Sequence, residues 1–520
     1  MSRILGAAAS GHKETTKAAS VLLEEGGNAF DAALGAMCAA CVCEPMLASL
    51  GGGGFLLAGP ADAPVQVFDF FTQTPSAVKK ELDFFPIQAD FGTATQEFHI
   101  GMGSIAVPGV VAGLFAVHGS LCRMPLEKII EPAVRLAREG VRLNALQRFV
   151  SEILQPIIMA TPGALAMAAP VNDDSRIAEI GEFVANPELA DSFESLAENG
   201  PQWFYQGEPG QQLVADCAAN GGLVTAADLQ SYKVIRRKSL MVESHGARIH
   251  VNSPPSPGGC LILFAMSLLD KSRPGQHAWG GVEHATALAK ALQASSLVRE
   301  SHGVSAGLDQ ETAHKILGRE HISEWHGTLK SGAIVSRGTT HISIADADGN
   351  MASLTLSNGE GSSYVMPGCG IMLNNMMGEQ DLHPDGFHRS PPGIRLASMM
   401  TPTIADCPDG SRIALGSGGS NRIRSAILQV LTNLLDFDMD LQQAVVVPRL
   451  HLEGDNLSLE KGFSADAIET LARIWPSPQL WPDPNLFFGG VHAVERCANG
   501  EFRAAGDPRR GGAATVTRNR

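Results

Sequence analysis

Gly338-Thr339-Thr340-His341-Ile342-Ser343-Ile344-Ala345, then Asp348-Gly349-Asn350, then Met351-Ala352-Ser353-Leu354-Thr355-Leu356: this stretch reads as a β-hairpin. From Thr340 onward polar and apolar residues alternate with the period of two that sends successive side chains to opposite faces of a strand. Asp348-Gly349 supplies the turn, because glycine accepts the positive φ that a tight hairpin needs. Thr339 therefore stands at the very start of a strand, behind the flexible composition of Ser336-Arg337-Gly338.

Working outward, helical patterns occur at Thr15 to Glu25, Ala29 to Cys43, Pro125 to Glu139, Ala190 to Glu198, Ala226 to Tyr232 and Glu283 to Glu300. His383 to Gly393 is rich in Pro and Gly and reads as a long surface loop. No internal repeat or low-complexity tract interrupts the chain. The net charge of −15 repels phosphate backbones and argues against nucleic acid as a partner. Ala32 to Cys43 is about half the length of a membrane span, so no membrane partner is expected. The apolar run Ile4 to Ala9 is too short for a secretory signal. The nine cysteines read as reduced thiols, so a cytoplasmic protein is expected.

Three local patterns invite functional readings and fail them. Gly51 to Gly54 lacks both the third glycine of a dinucleotide fingerprint and the Lys-Ser/Thr of a P-loop, so it reads as a closely packed turn. Gly416-Ser417-Gly418-Gly419-Ser420 lacks the Gly-x-Ser-x-Gly spacing of a nucleophile elbow. Cys38, Cys41 and Cys43 sit in an Ala-rich helix with no second ligand pair, and the histidines are scattered. No metal and no cofactor are assigned.

The Gly338-Thr339 junction carries a different chemistry. A threonine hydroxyl needs an adjacent base to act as a nucleophile. A free α-amine on the same residue can serve, since its pKa of about 7.7–8.0 lies near working pH. The chain must first break before Thr339, and the hydroxyl can make that cut itself by attacking the unhindered Gly338 carbonyl. By local sequence alone, many Gly-Thr pairs are simply turns.

The surrounding blocks resemble the γ-glutamyltransferase (glutathione hydrolase) family. Thr339-Thr340-His341-Ile342-Ser343 is similar to its processing site, and Gly51-Gly52-Gly53-Gly54-Phe55 to its glycine-rich turn. Gly26-Gly27-Asn28-Ala29-Phe30-Asp31, Val107-Pro108-Gly109, Phe204-Tyr205-Gln206-Gly207, Pro254-Pro255-Ser256-Pro257-Gly258-Gly259, Leu373-Asn374-Asn375 and Pro448-Arg449 follow in family order over nearly the whole chain. The resemblance implies an α+β fold, the four-layer αββα sandwich of N-terminal-nucleophile hydrolases. It implies self-cleavage into a large chain, residues 1–338, and a small chain, residues 339–520, which stay together in one composite fold. It further implies a Thr339 acyl-enzyme resolved by water or an amine acceptor. Backbone N–H groups near Gly418, Gly419 and Ser420 would form an oxyanion hole, and Ser357 would supply the supporting hydroxyl.

The departures fall on glutamate recognition. The family's Asp-Phe-Arg, whose Arg binds the α-carboxylate, reads here Asp69-Phe70-Phe71. Positions that hold the α-amino end align with Met376 and Glu379, and one of two paired serines aligns with Met399 while Ser398 remains. Asn358 and Glu379 are left as candidate polar contacts, and Arg395 or Arg422 as candidate replacements for the lost cation. Three functions are thus expected in contention: hydrolysis or transfer of γ-glutamyl-like amides, deacylation of a dicarboxylic or aryl-acyl amide in a pocket made apolar by Phe71, Met376 and Met399, and ligand binding by a homologue that never matures.

Overall fold

A computed structural model of the chain describes residues 3–90, 95–304, 307–325 and 338–519. Ser336 and Arg337 lie outside the described residues. Thirteen strands build the two large sheets: β1 (Ile4–Ser10), β2 (Gly53–Gly59), β3 (Gln66–Phe70), β4 (Ile235–Lys238), β5 (Leu240–Ser244), β6 (Ala247–Val251), β7 (Thr340–Asp346), β8 (Met351–Ser357), β9 (Thr403–Asp406), β10 (Arg412–Gly418), β11 (Gly490–Arg496), β12 (Phe502–Ala505) and β13 (Ala513–Arg518). The first sheet runs β13-β1-β7-β8-β2-β3-β4 and the second β12-β11-β10-β9-β6-β5. Every neighbouring pair is antiparallel.

The hairpin forms as its sequence dictates. β7 pairs with β8 from Thr340↔Leu356 to Ala345↔Met351. Gly349 takes φ 95° in the turn. The Asp346 carboxylate accepts from the Asn350 N–H at 2.9 Å, and from the Asn350 side chain and the Ala29 N–H at 2.8 Å each. One residue pair thus closes the turn and ties it to the start of the next layer.

Helices α1 (Lys13–Glu24), α2 (Ala29–Cys43) and α3 (Val110–Leu121) cover one face of the first sheet, and α4 (Leu126–Glu139) packs on α2. Asn28 caps α2 by a reciprocal bond with Asp31. The outward residues Ile342, Ile344, Leu354 and Leu356 share one apolar cluster with these helices, and Cys38 and Cys41 pack in it. Helices α5 (Gly258–Ser272) and α7 (Arg422–Leu435) lie on the second sheet, with α6 (Val282–Ser301) behind α5. A second apolar cluster runs through these helices, the second sheet and the inner face of the first, including Ala7, Phe55 and Leu57. The architecture is the four-layer αββα sandwich.

The polar half of the hairpin alternation does not face water. It points into the space between the sheets, where Ser353 Oγ donates to Leu415 O at 2.9 Å and accepts from Thr403 N–H at 3.0 Å. The His341 ring fills a slot left by Gly416, where a Cβ would stand 2.3–2.8 Å from ring atoms. Ser343 Oγ donates to His492 O, so it accepts from His341 Nε2–H at 2.9 Å, and His341 Nδ1 accepts from Thr355 Oγ1 at 2.8 Å. Burial, with His492 alongside, drives the His341 pKa well down and keeps the ring neutral.

Candidate active site

Thr339 immediately precedes β7, a central strand of the first sheet, and Ser357 ends the neighbouring β8. The register therefore places the two hydroxyls side by side. Both converge on the carbonyl of Gly338: Thr339 Oγ1 and Ser357 Oγ each donate to Gly338 O at 2.8 Å. Ser357 Oγ is held in turn by the Gly359 N–H at 3.0 Å. The Gly338 N–H donates to Glu360 Oε1 at 2.9 Å. The Gly338 carbonyl is thus polarised by two hydroxyl donors, and the residue is also held through its N–H.

The glycine-rich turn reaches this point by close backbone packing. A Cβ on Gly52 would stand 2.5 Å from Ser357 O, and one on Gly53 would stand 2.7 Å from Thr72 N. Gly418, at the end of β10, approaches from the second sheet, and a Cβ there would meet Thr339 O at 2.1 Å. Gly419 and Ser420 follow with φ 121° and 53°. The positive φ of Ser420 marks local strain of the sort that concentrates at functional sites. Among the described residues the Gly419 and Ser420 N–H groups find no hydrogen-bond acceptor. They stand at the N-terminal end of α7, whose dipole favours negative charge.

A cleft opens over Thr339. It brings together Thr339, Ser357, Phe71, Met376, Glu379, Ser398, Met399 and Ser420 of the expected residues. Gly418 and Gly419 lie beside it as backbone. Asn358 does not line it: its side chain is fully buried beneath the wall, and neither amide atom has a hydrogen-bond partner. Asp381, Leu382, Pro257, Met400 and Ile423 line the cleft without having been marked in the sequence. Ser420 Oγ donates to Asp381 Oδ2 at 3.3 Å.

The cation expected to replace the family's Arg is not in the cleft. Phe71 stacks on Phe55 with centroids 5.4 Å apart. Arg395 turns behind it, bonding Phe71 O, the Tyr232 hydroxyl and Lys233 O, with its Nε 3.6 Å from Asp69. Arg237 binds the same Asp69 at 2.9 Å. Arg422 is buried over the Phe487 ring and stands 3.7 Å from Glu453. Among the described residues, the charged ones that line the cleft are Glu379 and Asp381.

Under Thr339, Thr340 Oγ1 donates to Glu44 Oε1 at 3.0 Å, and Arg510 Nη1 stands 3.5 Å from Thr339 O. Burial pushes the Glu44 carboxyl up to about 7, against the opposing pull of the Thr340 bond and Arg510. Sequence reasoning missed both residues, because each looks like an ordinary loop charge until the fold buries it.

A four-layer αββα sandwich with a threonine at the head of a central strand defines the class of N-terminal-nucleophile hydrolases. The comparisons agree. The solved cephalosporin acylase of Bacillus halodurans superposes with a TM-score of 0.84 over 99% of this chain and 96% of that one, at 22% identity, a likeness of fold. The glutathione hydrolase proenzyme of Escherichia coli (strain K12) is 28% identical over 521 residues, covering 94% of this chain and 87% of the relative. The acylase ACY 1 proenzyme of Pseudomonas sp. (strain V22) is 29% identical over 524 residues, covering 96% and 91%. The sequence profile described as gamma-glutamyltranspeptidase matches residues 15–517, and the chain belongs to that family of hydrolases and acyltransferases.

Proposed function

We propose that the chain matures by self-cleavage between Gly338 and Thr339, and that the freed Thr339 then cleaves amides through an acyl-enzyme. The observation that carries this reading is the convergence of the Thr339 and Ser357 hydroxyls on Gly338 O. Attack by Thr339 Oγ1 on the Gly338 carbonyl carbon breaks the peptide bond and leaves an ester, which water hydrolyses. The products are a chain ending at Gly338 and one beginning with Thr339. The new α-amine takes the hydroxyl proton in each later turnover. The Gly419 and Ser420 N–H groups are the donors for the oxyanion, aided by the start of α7.

The acyl group is read as neutral or ammonium-bearing, with an apolar body. Phe71, Met376, Met399 and Leu382 shape the cleft, its charged lining is Glu379 and Asp381, and Arg395 is turned away. An aryl group fits the apolar wall, while a substrate carboxylate would find neither an Arg at position 71 nor Arg395, whose guanidinium is bonded elsewhere. This favours an aryl-acyl amide over both γ-glutamyl and dicarboxylic amides. The test is competition among γ-glutamyl, glutaryl and phenylacetyl anilides, with mass spectrometry for the acyl adduct on the small chain. Phenylacetyl turnover with a Thr339 adduct is expected. Preference for the γ-glutamyl compound would overturn the acyl assignment, and the absence of any adduct on Thr339 would overturn the chemistry.

A further inference from the structure

A second cavity, open to solvent, lies beside the C-terminal end of α2. Its walls are mainly apolar, with Val42, Met46, Leu146, Val150 and Met167 among them, and His12, Asn144, Gln147 and Ser151 as polar members. Its inner end is acidic. Glu44 lines it and is 7% exposed. One carboxylate oxygen, Oε1, accepts from Thr340, while the other, Oε2, is buried with no hydrogen-bond partner. A buried carboxylate oxygen left unsatisfied is costly, and such atoms in folded proteins point to a missing ligand or water.

Two further features set the charge of what would fit. Glu44 is the C-cap of α2, so the cavity's inner end is also the negative end of a 15-residue helix. No Lys or Arg is among the described lining residues. Of the groups that face Glu44, His12 spends its Nδ1 on capping α1 and is held neutral, its pKa lowered to about 4 chiefly by burial. The Cys41 and Cys43 thiols are pushed up by burial and stay protonated. Arg510 adds a positive charge from the Thr339 side, outside the cavity lining.

We propose that this cavity is a second binding site, built to take a small primary ammonium with an aliphatic body, with Glu44 Oε2 as its charge partner. The ammonium donates to Oε2 and the body lies along Val42, Leu146 and Val150. Because Thr340 Oγ1 shares the same carboxylate, an occupant sits one residue from the head of β7. The proposal stands on the cavity and Glu44 and is independent of the chemistry assigned to Thr339.

The test is calorimetric titration of the purified protein at pH 8, where Glu44 is ionised, with n-hexylamine, n-hexanol and hexanoate. Binding of hexylamine with Kd about 1 mM or tighter is expected, on the affinity such a small ligand can reach. Hexanol should bind at least tenfold more weakly, and hexanoate should not bind. Glu44→Gln should weaken hexylamine tenfold or more and bring it level with hexanol. Leu146→Trp, which fills the cavity, should weaken both. Phe71→Arg, which puts a cation into the cleft, should leave hexylamine binding unchanged and so separates this site from the cleft. Equal binding of hexylamine and hexanoate to the unmutated protein would overturn the proposal, as would loss of binding in Phe71→Arg or full binding in Glu44→Gln.

Discussion

Replacing Ser357 by Ala removes one of the two hydroxyls on the Gly338 carbonyl and should slow maturation far more than it unsettles the fold. In the resting peptide the lost bond is an ordinary one of 2.8 Å. As Thr339 Oγ1 attacks, that oxygen gains negative charge in a site only 5–6% exposed at Thr339 and Ser357. Removing one preorganised donor from a developing oxyanion costs about 3–4 kcal/mol, so self-cleavage should slow roughly 100- to 1000-fold. The structural cost is smaller. The buried Gly359 N–H loses its acceptor at 3.0 Å, about 1–3 kcal/mol. Ser357→Thr keeps the hydroxyl and should mature at close to the normal rate. The assay follows the full-length chain and its two products by gel and mass spectrometry after purification at low temperature. Maturation of Ser357→Ala within threefold of the unmutated chain, with the same thermal unfolding, would refute the role of this hydroxyl.

Other perturbations test the remaining parts of the account. Gly416→Ala would press a methyl group into the His341 ring and should cost about 1–3 kcal/mol or more, read as a lower denaturant midpoint; an unchanged midpoint would mean that the inter-sheet slot is loose. Phe71→Arg should raise the ratio of γ-glutamyl to phenylacetyl anilide turnover by about tenfold or more, by placing a cation beside Glu379 and Asp381. An unchanged ratio would show that Phe71 does not set the acyl preference. Glu44 holds a proton in the folded state between its ordinary value of 4.5 and about 7, where the unfolded chain has lost it. Stability therefore falls as pH rises through that window and levels off above it, a loss of about 3 kcal/mol from this group. Glu44→Gln should lack that fall, so its stability relative to the unmutated chain should rise from pH 4.5 to pH 8; parallel pH curves would contradict the buried carboxyl.

The hairpin, its turn and the position of Thr339 were legible because each obeys a local rule: period-two alternation and an Asp-Gly turn. The helices at Ala29–Cys43 and Val282–Ser301 were legible from their length and their glycine boundaries. Helix α5 was not, because Gly258-Gly259-Cys260-Leu261-Ile262-Leu263-Phe264 is apolar all round and shows no face to solvent. Helix α3, apolar and interrupted by glycine, escaped for the same reason. At the site, Ser357 was placed by the family resemblance, and the pairing of β7 with β8 sets it opposite Thr339. Asn358, just past the end of β8, is buried under the wall, which no strand pattern records. Asp381, Glu44 and Arg510 are brought in from segments far apart in sequence, and their meaning is a matter of burial, which no local pattern records. Arg395 was a reasonable candidate cation by charge; only the structure shows its guanidinium committed to backbone carbonyls, Tyr232 and Asp69.

The central claim is that Thr339 becomes a free N-terminus. Intact-mass spectrometry of the purified protein, with N-terminal sequencing of the smaller product, tests it most directly. Two chains are expected, one ending at Gly338 and one beginning with Thr339, and Thr339→Ala should give a single chain. A single uncut chain from the unmutated protein, or a junction at any other bond, would contradict the account.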